Sequence, residues 1–79
     1  MTELFALIQA HMADVLQVEP ELIRLATRRD ALAEWDSFNH LMLMMELEKR
    51  MNIAFRTEEI QAVHTVADLL KVVEEAKGR

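Results

Sequence analysis

The chain has 79 residues with a formal net charge of −5, 52% apolar residues, one glycine, one proline and no cysteine. This length holds one domain with a thin core, expected over residues 1–79, and the composition excludes a disordered or collagenous chain, a disulfide framework, a thiolate metal site and a thiol nucleophile. The carboxylate excess disfavours nucleic acid and favours basic protein surfaces as partners. With no basic-then-apolar leader and no apolar run near about 20 residues, a soluble, cytoplasmic protein with no membrane span is expected.

From Thr2 to about Gln17, Leu4, Phe5, Ile8, Met12, Val15 and Leu16 recur at steps of three and four and predict a first helix, with Thr2 as its N-cap. The connection from Val18 to Trp35 far exceeds the ~4–6 residues usual in compact domains and must carry its own anchors. Leu22, Ile23, Leu25 and Leu32 are expected to tuck under the bundle, Trp35 to anchor the loop beside the next helix, and Pro20 to open a brief helical turn. A second helix is predicted from about Ser37 to Met51, where Phe38, Leu41, Met44, Leu47 and Met51 follow helical spacing. Lys49 and Arg50 come after Glu46 and Glu48, the sign order favoured by the helix dipole. Because every residue from Leu41 to Met45 is apolar, its buried face is expected to be unusually wide.

Thr57-Glu58-Glu59-Ile60 predicts a short helix capped by Thr57 and finished before His64. Thr65-Val66-Ala67-Asp68 has the form of a capping box and opens a last helix, with Val66, Leu69, Leu70 and Val73 inward, an end near Ala76 and a stop at Gly78. The expected fold is therefore all-α: a small bundle of three main helices plus one short helix, with a long ordered loop after the first.

Asp36-Ser37 stands where the long loop meets the second helix. Either residue serves as an ordinary helix cap, while a phosphate ester on Ser37 would face unpaired backbone N–H groups and the positive end of the dipole. His40, one turn on, is expected on the solvated surface, with a contact to that phosphate or to a partner as the functional alternative. Asp36, Ser37 and His40 have the residue types of a hydrolase triad, but no Gly-rich oxyanion loop accompanies them. Met12, Met42, Met44, Met45 and Met51 read as core filler or as an expandable pocket between helices; sulfurs scattered around a helix make a poor copper site. His11 and His64 form no ligand pattern, so no metal is expected.

The order of elements and three motifs resemble the acyl carrier protein family. Asp36-Ser37-Phe38 stands for the family's Asp-Ser-Leu attachment motif. Leu41 to Met45, Glu46-Leu47-Glu48 and Met51-Asn52-Ile53 are similar to its second helix, and His64-Thr65-Val66-Ala67-Asp68 to the start of its last one. The resemblance implies a non-catalytic, monomeric carrier. Ser37 would receive 4′-phosphopantetheine from coenzyme A through a phosphopantetheinyl transferase, with Asp36 at the helix start. The arm would hold acyl intermediates as thioesters for an acyl ligase, synthase or acyltransferase, with Phe38, Met42 and Glu48 touching these partners. Asn39 and Met42 stand where many fatty-acid carriers have carboxylates, and Lys49 and Arg50 interrupt the acidic stretch. These departures point to a specialised fatty-acid, lipid or polyketide pathway. An aminoacyl or peptidyl carrier and a plain helical interaction module are the alternatives.

Overall fold

The computed structural model describes the backbone of residues 2–79 and the side chains from residue 3. Four helices follow in order: α1 (Thr2–Leu16), α2 (Ser37–Met51), α3 (Thr57–Gln61) and α4 (Val66–Lys77). The all-α expectation holds, with three long helices and one short one and no strand among the described residues. None of these helices is long and apolar enough to cross a membrane. The N-cap expected of the Thr2 side chain lies outside the described residues.

α1 buries Ile8, Met12 and Leu16, with Leu4, Phe5 and Val15 half-buried beside them, as its spacing predicts. It ends because Gln17 turns into the left-handed region (φ 58°), which lets the Val18 N–H return to the Ala13 carbonyl at 3.2 Å. α2 closes the same way: Asn52 is left-handed (φ 54°) and Ile53 N–H bonds the Glu48 carbonyl at 3.1 Å.

The long loop contains two single 3₁₀ turns, Pro20–Leu22 with Pro20 at its start, and Arg29–Ala31. Its backbone polar groups are paired on both sides, which keeps so long a connection ordered. The Gln9 amide on α1 donates to the Pro20 and Ile23 carbonyls, both at 2.9 Å. On the other side, Arg29 N–H bonds the His64 carbonyl at 2.8 Å, and Val66 and Ala67 N–H bond the Thr27 and Leu25 carbonyls at 3.1 and 3.0 Å. Of the four anchors expected from the loop, Ile23 is fully buried and Leu32 partly so, while Leu22 and Leu25 are exposed. The loop is pinned there by backbone hydrogen bonds, so those two leucines are not needed as anchors. Trp35 is buried, as expected.

Thr65 caps α4 as a capping box: its hydroxyl accepts from Asp68 N–H at 3.1 Å, and the Asp68 carboxylate accepts from Thr65 N–H at 3.1 Å. Val66, Leu69, Leu70 and Val73 are buried. Gly78 follows α4 at φ −81°, so the helix stops without a left-handed glycine. Thr57 is the first residue of α3 rather than its cap. The preceding Arg56 N–H is satisfied by Glu59, two residues into the helix, at 2.8 Å.

α2 corrects the expectation of a single wide buried face. Its buried residues are His40, Leu43, Met44 and Leu47, with Met51 half-buried, whereas Phe38, Leu41, Met42 and Met45 are exposed. Steps of three residues fall short of a full turn by about 60° each, so a series read as 38, 41, 44, 47 winds around half the helix. The inward and outward apolar sets instead occupy two arcs of about 100° on opposite sides.

The Leu47 side chain is fully buried in the apolar core to which α1, α2 and α4 all contribute. Leu47→Ala is expected to cost about 2–5 kcal/mol, a large share of the stability of so small a domain, as read by urea unfolding.

Arg79 clamps Glu59 with bonds of 2.7 and 2.8 Å and also donates to the Ala54 carbonyl at 2.7 Å. With Arg56 N–H adding a further bond, the Glu59 carboxyl is pulled from 4.5 down to about 2. A carboxyl depressed in the folded state contributes stability that is complete above pH 4.5 and is lost as pH falls toward 2. Arg79→Ala is expected to flatten the stability-versus-pH curve in that window, with little change in slope above pH 5.

Candidate functional site

Ser37 is the first residue of α2 and is exposed. The helix is capped one residue earlier, by Asp36, whose Oδ1 accepts from the Asn39 N–H at 2.8 Å. The Asp36 carbonyl accepts from His40 N–H, also at 2.8 Å. The two capping readings of Asp36-Ser37 are thereby separated: the Asp36 side chain caps the helix, and Ser37 is its first residue. The Asn39 side-chain amide donates to the Glu34 carbonyl at 2.8 Å and fastens the end of the loop to the first turn.

Beneath this turn lies a buried chain of three groups. Trp35 Nε1–H donates to His40 Nδ1 at 2.9 Å, and His40 Nε2 meets the Ile60 carbonyl at 2.8 Å. An indole nitrogen only donates, so Nδ1 must accept; the ring proton is therefore on Nε2 and points at Ile60. The two rings sit 6.0 Å apart at a tilt of 46°. The loop before α2, α2 itself and α3 are thus joined through one neutral imidazole.

His40 is only 3% exposed, which overturns the expectation of a solvated residue. Burial pushes its pKa below 6.5, against the pull of the Ile60 carbonyl, and the nearby Arg29 cation pushes the same way as burial. A charged ring would set N–H against N–H at Trp35. With both nitrogens engaged, His40 contacts no phosphate at Ser37 and is unavailable as a general base for it.

His11, on α1 against α2, is equally buried, and neither ring nitrogen has a hydrogen-bond partner among the described residues. Burial and the Arg50 cation hold it below 6.5, outweighing the Leu43 carbonyl, Glu46 and Asp14. His64 is exposed, and no group of three metal-ligating side chains exists among the described residues.

The other expected site residues divide. Phe38 and Met42 face solvent on the same side of α2. Glu48 is half-buried, and its Oε2 accepts from Phe55 N–H at 2.9 Å, tying α2 to the loop before α3. The methionines divide too: Met12 and Met44 fill the core, while Met42 and Met45 are on the surface. Leu41 and Met45 join Phe38 and Met42 on the outward face, a grouping missed when the whole run was assigned to the core. Its signal was the spacing 38, 41, 42, 45, which is itself a complete amphipathic stripe. No protein-family model matches the chain.

The buried imidazole makes the site acid-sensitive. Because the folded state holds His40 and His11 below their ordinary value, stability is complete above pH 6.5 and falls as pH drops through that value. His40→Gln is expected to reduce the slope of stability against pH below pH 6.5, with the His11 contribution remaining. Trp35→Phe, which leaves Nδ1 without its donor, is expected to cost about 1–3 kcal/mol at pH 7.5 by chemical denaturation.

Proposed function

We propose that the chain is a carrier that holds acyl intermediates on a 4′-phosphopantetheine arm attached to Ser37. The observation that carries this reading is an exposed serine at the first position of a 15-residue helix whose capping is already done by Asp36. The hydroxyl makes no hydrogen bond to the helix end that Asp36 caps among the described residues, and the helix terminus beside it favours a negatively charged phosphodiester. The Trp35–His40–Ile60 chain ties this terminus to the preceding loop and to α3, which supports Ser37 as a fixed point from which an arm would move.

Attachment joins Ser37 Oγ to the β-phosphorus of coenzyme A, expels adenosine 3′,5′-bisphosphate and gives the serine proton to a base of the transferase. The arm supplies a thiol, which this cysteine-free chain lacks, for holding cargo as a thioester. The chain's own part is to position Ser37 and present a face to partners. Partner enzymes such as a ligase, synthase or acyltransferase would then share one cargo at high local concentration. The uncharged outward side of α2 favours a specialised acyl pathway over general fatty-acid synthesis.

Incubation with coenzyme A and a promiscuous phosphopantetheinyl transferase, read by intact mass, is expected to add one phosphopantetheine to the wild-type chain and none to Ser37→Ala. Equal addition to both, or addition to neither, would falsify the carrier reading. A plain interaction module would behave in the second way.

A further inference from the structure

A group carried on an arm at Ser37 has two places to go, the apolar interior of the bundle or the water around it. The way inward runs past His40. This is the first buried residue of α2, about 4.5 Å beyond Ser37 along the helix axis and roughly 60° around it. Trp35 closes one flank of its ring and the Ile60 carbonyl of α3 the other, at 2.9 and 2.8 Å, and Trp35 and His40 are 2% and 3% exposed. Further along the same helix, Glu48 Oε2 holds Phe55 N–H at 2.9 Å just ahead of α3, and Arg79 holds Glu59 within it.

The closure is polar, and that makes it selective. A hydrocarbon chain pushed through it would part Trp35 Nε1–H from Nδ1, or Nε2–H from the Ile60 carbonyl, and leave a buried donor and acceptor that methylenes do not satisfy. What lies behind His40 is no obstacle. Met44 stands one further turn along the same face and Met12 of α1 belongs to the same core, and flexible thioethers adapt to a guest more readily than branched side chains do. One residue therefore separates Ser37 from an interior that would otherwise yield.

We propose that His40 determines the cargo class of the carrier by closing the passage from Ser37 to the core, so that the arm holds its acyl group in water. The cargo suited to this is a short acyl group bearing a polar substituent such as a hydroxyl, amine or carboxylate. A long saturated chain in the same place would carry the full cost of hydrating its methylenes. The proposal rests on the carrier reading of Ser37 and replaces the expandable pocket between helices that the methionines suggest.

The test loads the full chain from acetyl-, 3-hydroxybutyryl- and octanoyl-coenzyme A through a promiscuous phosphopantetheinyl transferase and confirms each product by intact mass. Thermal unfolding is then followed together with the emission of Trp35, the only tryptophan of the chain. For wild type, the Tm values of the three forms are expected to agree within about 1 °C with the Trp35 emission maximum unchanged, because a group that stays in water adds no buried area. His40→Ala opens the passage onto Met44, and its octanoyl form is expected to melt at least about 5 °C above its acetyl form. In His40→Gln the amide accepts from Trp35 and donates to the Ile60 carbonyl, so the closure is restored and the forms agree again within about 1 °C. A wild-type octanoyl form melting more than about 3 °C above the acetyl form assigns a long saturated cargo to the interior and overturns the proposal while the carrier reading stands. A folded His40→Ala that is indifferent to chain length also overturns it; if that variant does not fold, the wild-type series and the Trp35 emission decide alone. No loading of the wild-type chain from any of the three donors overturns the carrier reading and this proposal together.

Discussion

The imidazole of His40 is the point on which the arrangement depends. It receives a hydrogen bond from Trp35 and gives one to the Ile60 carbonyl, and both contacts are inside the protein. A buried polar group is costly unless satisfied, and here each nitrogen has one partner from a different segment. The loop, α2 and α3 are therefore held by a group that works only when neutral. Ser37 lies between Trp35 and His40 in the chain, and because both neighbours are committed inward, the start of α2 has one orientation with Ser37 outside.

The remaining order of the long loop follows from backbone pairing rather than from apolar anchoring. Gln9 reaches it from α1, and the first residues of α4 bond its carbonyls from the other side. In a domain this small, few side chains are available for the interior, and hydrogen bonds to neighbouring elements do what additional buried leucines would do in a larger protein. Leu22 and Leu25 accordingly remain in solvent.

α2 is apolar on two opposite sides, and the two sides answer to different demands. His40, Leu43, Met44 and Leu47 face the core, where close packing stabilises the fold. Phe38, Leu41, Met42 and Met45 face water, outside the packed interior. This division links the fold to the proposed role: the same helix that fixes Ser37 also offers an uncharged surface beside it.

Much was legible in the sequence. The spacing of Ile8, Met12 and Leu16, the capping box at Thr65 and Asp68, Pro20 at a short turn and Trp35 as an anchor all depend on neighbours within a few residues, and all stand in the structure. Asp36-Ser37 at the start of α2 was equally readable, because a helix boundary is a local event. Placing His40 inside was not, since its second partner is a carbonyl 20 residues away on α3. Nor did the run from Leu41 to Met45 say which side was buried: a helix with two apolar arcs has no polar face to mark the outside. The sequence by itself determined the elements and the serine at their junction, through local periodicity and capping. Only tertiary structure decided which side of α2 is the core and that His40 is buried and neutral, because those outcomes depend on what α1, α3 and α4 bring against that helix.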